Sequence, residues 1–202
     1  MKKILSVLSL IVIMFISTAT AVFAASTYTV KKGDSLWKIA VAHEVGLSEI
    51  KSVNPTIKNY NLIYPGQIIN IPTANTSVTA YEKEVVRLVN AERAKQGLSA
   101  LEYDWQLSRV ARYKSEDMQK NNYFSHTSPT YGSPFNMMKS FGITYRTAGE
   151  NIAKGYRTPA AVVDGWMNSP GHRANILNSS FTHIGVGYVE RGNYWTQMFV
   201  GR

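Results

Sequence analysis

The hydrophobic positions of the first 25 residues form one continuous run rather than a periodic pattern. Met1–Lys3 is positively charged, Ile4–Ile16 is apolar except for two serines, and Ser17–Ala25 turns to small residues. Charge, apolar stretch and small residues in this order predict a secretory signal peptide over residues 1–24, with cleavage after Ala24. The alternative is an uncleaved membrane anchor. An anchor needs about 20 mostly apolar residues, and this run is shorter.

The next region changes to short alternating and helical patterns. Leu36, Ile39 and Ala40 have the spacing of one helix face, and Asp34 or Ser35 can cap that helix. A second helix ends at Asn54, because the following proline disfavours helical backbone at that residue. The order of elements is strand, helix, helix, strand, over Tyr28–Val30, Leu36–Ala40, Leu47–Val53 and Gln67–Ile71.

The sequence of the remaining chain predicts a linker followed by a larger domain. Residues 73–79 are small and polar, which predicts a flexible connector. Thr79 and Glu82 then resemble a capping box that opens the first helix, and Gly97 ends it. Further helices are predicted to start at Asp104, Ser133-Pro134, Thr158-Pro159 and Ser169-Pro170. Residues 182–189 and 194–200 alternate as a hairpin. Helices followed by paired strands indicate an α+β fold with helices on an antiparallel sheet.

Charge and composition narrow the function classes. The chain has 202 residues, is 45% hydrophobic and carries a formal charge of +9, of which Lys2 and Lys3 would be lost on cleavage to leave +7. A basic secreted protein is attracted to anionic wall polymers and lipid head groups. No basic run or nucleic-acid motif is present, so we expect no nucleic-acid partner. The absence of cysteine excludes disulfides, thiolate metal sites and cysteine nucleophiles.

Three segments characterise the smaller region, 25–72: Tyr28–Ala40, Asn54-Pro55 and Pro65–Pro72. Together they resemble the LysM domain. This resemblance implies a βααβ fold that binds N-acetylglucosamine-containing glycan, chiefly peptidoglycan. The same resemblance implies a glycan-binding groove formed by Gly33, Asp34, Ser35, Leu36, Asn54, Pro55, Leu62, Ile63 and Pro65. Trp37 could stack on a sugar, but its spacing favours a place in the core.

Six motifs characterise the larger region, residues 80–202: Val89–Arg93, Phe124–His126, Gly149–Ile152, Trp166–Leu177, Ile184–Gly187 and Tyr194–Phe199. Together they resemble the CAP superfamily (cysteine-rich secretory, antigen 5, pathogenesis-related 1) in its bacterial SCP-like branch. They imply an α-β-α sandwich with a central antiparallel sheet. LysM and CAP in one short chain resemble secreted proteins of endospore-forming Gram-positive bacteria, which implies a place in the cell wall or spore envelope.

The CAP resemblance also implies a cleft that holds His126, Glu150 and His172. The family's second cleft glutamate falls at Ser169 in this chain, so the family's set is incomplete. The three residues are candidate catalytic groups. They are also candidate ligands for Zn²⁺ or another divalent metal, since two imidazoles and a carboxylate can hold zinc with water in an open position. We expect His126 and His172 to lie on loops and Asn151 to hold its own loop.

Two functions remain open from the sequence. In the first, LysM attaches to peptidoglycan and the CAP cleft is presented to a ligand or partner, which could be an unidentified protein or lipid. In the second, LysM targets a cell-wall hydrolase or peptidase with a His/Glu metal-dependent CAP site. No HExxH, HxxEH or GxSxG motif occurs in the sequence, which favours the binding function over the enzyme.

Overall fold

A computed structural model describes residues 26–73 and 76–202 of the chain. The predicted signal peptide, residues 1–24, lies outside the described residues. Within the described part, no helix combines the length and the apolar character needed to cross a membrane.

The LysM region folds as the sequence predicts. Its elements are β1 (Ser26–Thr29), α1 (Leu36–Ala42), α2 (Leu47–Val53) and β2 (Ile68–Ile71). The two strands pair antiparallel, and the helices cover one small core built on Ile39, Ile50 and Ile69. Of the two candidate caps for α1, Ser35 is the one used, because its side chain accepts from the Lys38 amide at 3.2 Å.

The larger region contains five helices and a four-stranded sheet. Its elements are α3 (Thr76–Lys95), β3 (Glu102–Tyr103), α4 (Trp105–Lys120), α5 (Pro134–Ser140), β4 (Thr147–Lys154), α6 (Pro159–Met167), α7 (Pro170–Ile176), β5 (His183–Val189) and β6 (Tyr194–Gly201). The strand order is β3-β5-β6-β4. All neighbours are antiparallel except β3, which runs parallel to β5 over two residues.

Neighbouring residues of β6 face opposite sides of this sheet. Phe199 packs with α3 and α6 on one side, whereas Met198 and Val200 pack with α4 and α5 on the other. Helix α4 approaches β5 so closely that a Cβ at Gly187 would lie 2.0 Å from the Arg112 amide nitrogen. Helices on both faces of the sheet form the sandwich that the sequence predicts.

The start of α3 differs from the prediction. The helix begins at Thr76, so residues 76–79 belong to its first turn rather than to a connector, and Thr79 is not an N-cap. Val78 packs against the core, which draws the helix start toward the N-terminus. Glu82 is fully buried and forms a bidentate ion pair with Arg112, at 2.6 and 3.0 Å.

Strand β4 is absent from the sequence prediction. It pairs with β6 along its whole length, and its central residues Gly149, Glu150 and Asn151 are buried. A glycine, a carboxylate and an amide are depleted in strands, so the local pattern suggested a loop. His172 also lies on a helix, in the first turn of α7, rather than on a loop. Glu150 and His172 are therefore placed on regular elements, and His126 lies in the loop between α4 and α5.

Candidate functional site

The CAP cleft, which we define by His126, Glu150 and His172, contains one direct contact between its members. His126 Nδ1 lies 2.7 Å from Glu150 Oε1. The His126 side chain is half exposed, whereas that of Glu150 is 2% exposed. Glu150 Oε2 is buried and has no hydrogen-bond partner among the described residues. The cleft therefore presents an imidazole to solvent and keeps the carboxylate beneath it.

A buried lysine holds the loop that carries His126. Lys114 is fully buried on α4, and its Nζ donates to the His126 carbonyl at 2.8 Å and to the Tyr123 hydroxyl at 3.3 Å. Asp117, one turn further along, accepts hydrogen bonds from Tyr123, Ser128, Thr130 and Asn121. A lysine and an aspartate on one helix thus fix both ends of the loop.

Lys114 contributes to the site, a role that was not predicted from the sequence. A signal was present, because Lys114 falls four residues after Val110 and four before Met118. That spacing puts the lysine on the apolar face of the helix. A lysine on such a face needs buried partners, and the His126 loop supplies them.

His172 is held by an amide network rather than by the His126–Glu150 pair. Asn151 Nδ2 donates to the His172 carbonyl at 3.1 Å and to Gln197 Oε1 at 2.9 Å. Asn175 in turn donates to Asn151 Oδ1 at 2.8 Å. Asn151 therefore ties β4 to α7 instead of holding its own loop, which corrects the sequence interpretation.

Burial shifts the proton affinities within the cleft. Burial raises the pKa of Glu150, against the opposing effects of the His126 hydrogen bond and the nearby Lys114 charge. Burial lowers the pKa of His172, and the charge of His126 adds to the effect. These effects favour the uncharged forms of Glu150 and His172.

In this conformation His126, Glu150 and His172 are not grouped as a three-ligand metal site. Among residues 26–73 and 76–202, no three side chains of His, Cys, Asp or Glu are grouped so that they could hold a metal ion. His126 Nδ1 contacts Glu150, so in this conformation the carboxylate orients the imidazole instead of lying beside it as a third metal ligand. With its proton on Nδ1, His126 donates to Glu150 and keeps the lone pair of Nε2 for another group.

The predicted LysM groove is made of turn residues that differ widely in exposure. Gly33 adopts φ of 89°, a left-handed conformation that its turn requires. Asp34 accepts from the Tyr28 hydroxyl and the Lys31 amide at 2.9 and 2.8 Å, so it shapes the same turn. Leu36 is 3% exposed and packs in the core. The exposed members are Gly33, Ser35, Pro55, Leu62 and Pro65, while Asp34 and Ile63 are partly buried.

Asn54 is a structural residue of this domain in the described conformation. It is 4% exposed, and its Nδ2 donates to the carbonyls of Ile50 and Asn70. Its Oδ1 accepts from the Asn70 amide at 2.8 Å. The side chain thus ties α2 to β2 and leaves little of its surface to a ligand.

Two exposed aromatic side chains lie beside the predicted groove residues. Trp37 is 51% exposed, so its assignment to the core is wrong, because the stripe of α1 turns Leu36 rather than Trp37 inward. Tyr64 is 60% exposed in the loop between Ile63 and Pro65, and the sequence analysis did not assign it a role. Both rings are available to contact a flat sugar face.

The two remaining histidines lie outside the cleft. His43 is exposed at the end of α1 and contacts the Tyr28 ring edge-on. His183 lies on β5, where its Nδ1 is 2.7 Å from the Thr182 hydroxyl. Neither residue contacts the cleft residues.

Comparison with known proteins identifies both regions. Residues 86–201 match the family described as the cysteine-rich secretory protein family (CAP), and residues 28–72 match the LysM domain.

Three relatives give the range of similarity. A Bacillus subtilis (strain 168) protein named uncharacterized protein YkwD is 68% identical over 130 residues, or 64% of this chain and 51% of that protein. The crystal structure of an extracellular protein containing a SCP domain from Bacillus anthracis has 35% identity and a TM-score of 0.60, and the match covers 68% of this chain and 47% of that one. N-acetylmuramoyl-L-alanine amidase sle1 of Staphylococcus epidermidis is 30% identical over 77 residues, or 38% of this chain and 23% of that protein. Two of the relatives match most of this chain, and the match covers only about half of each relative's own length.

Proposed function

The chain belongs to the cysteine-rich secretory protein family and carries a LysM domain ahead of that region, and we propose that it is a secreted cell-wall protein. LysM domains in general bind the N-acetylglucosamine-containing glycan of peptidoglycan. In this proposal, LysM attaches the chain to that glycan, and the CAP cleft is presented to a ligand or partner. The wall or the spore envelope is the proposed location.

The observation that carries this proposal is the chemistry of the exposed LysM loops. An acetamido sugar offers a methyl group, a flat ring face and amide groups. Leu62 and Tyr64 present apolar and aromatic surface from one loop, and Gly33 and Ser35 bring backbone and hydroxyl groups from the other predicted loop. Apolar surface with a few polar groups is the composition expected of a small-ligand site.

The experiment that tests the proposal measures retention on purified peptidoglycan sacculi. Leu62→Ser removes an exposed side chain of the proposed groove and should release most of the mature protein from the sacculi. Ile68→Ser is the matched control, because Ile68 is 64% exposed in the same domain but lies on β2, outside the proposed groove. If both variants are retained as well as the parent, the proposed groove does not bind the glycan.

Salt separates groove binding from charge attraction. After cleavage the chain would carry +7, which favours anionic wall polymers. At ionic strength near 1 M the Debye length falls to about 3 Å, so purely electrostatic retention should disappear. Retention that survives salt and depends on Leu62 supports the glycan-binding proposal.

A second candidate function is a LysM-targeted cell-wall hydrolase. The His126–Glu150 pair favours it, because a buried carboxylate that orients an exposed imidazole is suited to general acid–base chemistry. The sacculus experiment also tests this function when soluble fragments are measured alongside retention. Fragment release that is lost on His126→Ala or His172→Ala would favour the hydrolase. Retention without release would favour the binding protein.

A further inference from the structure

The LysM and CAP domains touch through a compact polar contact. Glu49, on α2 of LysM, accepts from Arg109 Nε at 2.5 Å and from the Tyr113 hydroxyl at 2.7 Å, both on α4 of CAP. Arg109 Nη2 also donates to the Ser48 hydroxyl at 2.7 Å. One helix from each domain therefore supplies all four side chains of the contact.

The CAP side of this contact is rigidly built. The Arg109 guanidinium lies 5.3 Å from the ring centroids of both Tyr113 and Phe141. Only 19% of the Arg109 side chain and 27% of the Glu49 side chain remain exposed. An ion pair with aromatic backing and restricted water access is screened less than an exposed pair, so it can hold two domains together.

The LysM side is shaped to admit the guanidinium. Gly46 precedes α2, and a Cβ at this position would lie 2.0 Å from Glu49 Oε2 and 2.1 Å from Arg109 Nε. Its φ of −78° is open to any residue, so backbone conformation does not require glycine here. The close approach of Arg109 favours glycine here, because a Cβ would force the side chains of Glu49 and Arg109 to move from this paired position.

The contact leaves the proposed glycan groove free. It borders a cleft of about 530 Å³ lined by both domains, including Val53 and Pro72 from LysM and Tyr188 from CAP. The nine groove residues that the LysM resemblance implies all lie in the described part of the chain, and none of them, nor Tyr64, lines this cleft. Docking to CAP and binding of glycan can therefore occur at the same time.

We propose that the α4 surface around Arg109 and Tyr113 is a docking surface for α2 of the LysM domain, so that the two domains form one body. A flexible linker alone would let the domains reorient independently. The docked arrangement instead keeps the LysM groove and the CAP cleft in one fixed relation. A CAP domain on a wall-bound chain is then held in one orientation rather than swinging on a tether.

Backbone ¹⁵N relaxation of the mature chain, without wall material, tests the docking directly. We expect LysM and CAP residues to share one rotational correlation time. Glu49→Gln should shorten the correlation time of the LysM residues alone, by about twofold, as expected for a small domain that tumbles independently of a larger one. Glu84→Gln is the matched control, since Glu84 pairs with Arg87 at an exposed site within α3. Separate correlation times in the parent protein, or no change in Glu49→Gln, would overturn the proposal.

A distance measurement gives a second test that does not depend on charge. The chain has no cysteine, so Lys58→Cys in LysM and Lys120→Cys in CAP, both exposed, can carry spin labels at unique positions. We expect one narrow distance distribution in the parent background and a broad one after Gly46→Ala. A broad distribution in the parent background, or a narrow one after Gly46→Ala, contradicts the docking. Neither test involves glycan, so its failure leaves the proposed wall binding standing.

Discussion

His126 and Glu150 are in hydrogen-bond contact at 2.7 Å although one side chain is half exposed and the other is almost completely buried. The buried residue, Glu150, lies on strand β4, and the exposed residue, His126, lies on a loop held by Lys114. The pair thus joins a rigid carboxylate to an imidazole that solvent can reach. An environment of this kind shifts proton affinities and gives a measurable pH dependence.

Replacing Glu150 by glutamine should change how stability depends on pH. Burial raises the pKa of Glu150 above its ordinary value of 4.5, so the folded state holds this proton more tightly than the unfolded state does. The parent protein therefore loses stability relative to Glu150→Gln as pH rises from 4.5 through the raised pKa. Each unit by which the pKa of Glu150 is raised adds about 1.4 kcal/mol to the difference in the free energy of unfolding between the parent and Glu150→Gln. Urea titrations of both proteins between pH 4 and 8, with chelator present, measure this difference.

Glu84→Gln provides a control of opposite sign for that measurement. The hydrogen bond from Arg87 lowers the pKa of Glu84. The stability that Glu84 contributes to the folded state therefore increases as pH rises and is lost on acidification. The exposed position makes the effect small. A flat difference between the parent and Glu150→Gln across the pH range would contradict the buried, proton-retaining carboxylate.

Ser169→Glu should increase zinc affinity. The CAP resemblance implies that the family's second cleft glutamate falls at Ser169, the residue that directly precedes α7, which carries His172. A carboxylate there adds a charged oxygen donor to a cleft whose described side chains do not form a three-donor metal group. Calorimetric zinc titration at pH 7 should give tighter binding for Ser169→Glu than for the parent. Because zinc competes with protons for imidazole, the gain should weaken as pH falls through about 6.

Ser169→Gln separates charge from bulk in the zinc titration. This variant has nearly the same shape as Ser169→Glu but carries no charge, so its affinity should stay close to that of the parent. Equal zinc affinity in Ser169→Glu and Ser169→Gln would show that a carboxylate at position 169 does not contribute to zinc binding.

The helices and the final hairpin of the CAP region could be predicted because their signals are local. Asp104, Ser133 and Thr158 each cap a helix through a side-chain oxygen, as their positions before apolar-periodic stretches predict. Gly97 follows α3 and Gly142 follows α5, and both adopt positive φ, as glycines that end helices commonly do. Such signals depend on a few neighbouring residues, and at these positions the tertiary fold does not override them, unlike at the start of α3.

The site was harder to predict because its parts depend on distant packing. The carboxylate of Glu150 sits on a strand whose pairing is with β6, almost 50 residues away, and whose sequence lacks β-branched alternation. The role of Lys114 depends on a carbonyl of a separate loop, and Trp37 is exposed because only one face of a seven-residue helix meets the small LysM core. The family resemblance supplied His126, Glu150 and His172, which local patterns alone would have left among ordinary surface residues.

Arg112→Met should be among the most destabilising single changes in the CAP region. The side chain of Glu82 is fully buried and pairs with Arg112 through two hydrogen bonds. Without the guanidinium, the carboxylate keeps only the Tyr188 amide as a described donor, at 3.0 Å. Breaking a buried ion pair in this way costs about 3–5 kcal/mol. Urea unfolding of the mature protein at pH 7 measures the loss.

Arg87→Met is the control for the buried pair. It removes an equally short contact to Glu84, but at an exposed site, where such pairs contribute about 0–1 kcal/mol. We expect the two substitutions to differ by at least about 2 kcal/mol. Comparable losses would mean that the Glu82–Arg112 pair is not shielded from water.

Asn54→Ala should weaken the LysM domain without removing a glycan contact. The Asn54 side chain makes one hydrogen bond to Ile50 in α2 and two to Asn70 in β2, and buried groups left unpaired cost about 1–3 kcal/mol each. The melting temperature of the LysM domain should therefore fall well below that of Asn59→Ala, an exposed neighbour with a single local hydrogen bond. At a temperature where Asn54→Ala is still folded, its affinity for a soluble N-acetylglucosamine oligomer should match that of the parent. If Asn54→Ala keeps the parent's melting temperature but loses glycan affinity, Asn54 binds the sugar directly and its structural assignment is wrong.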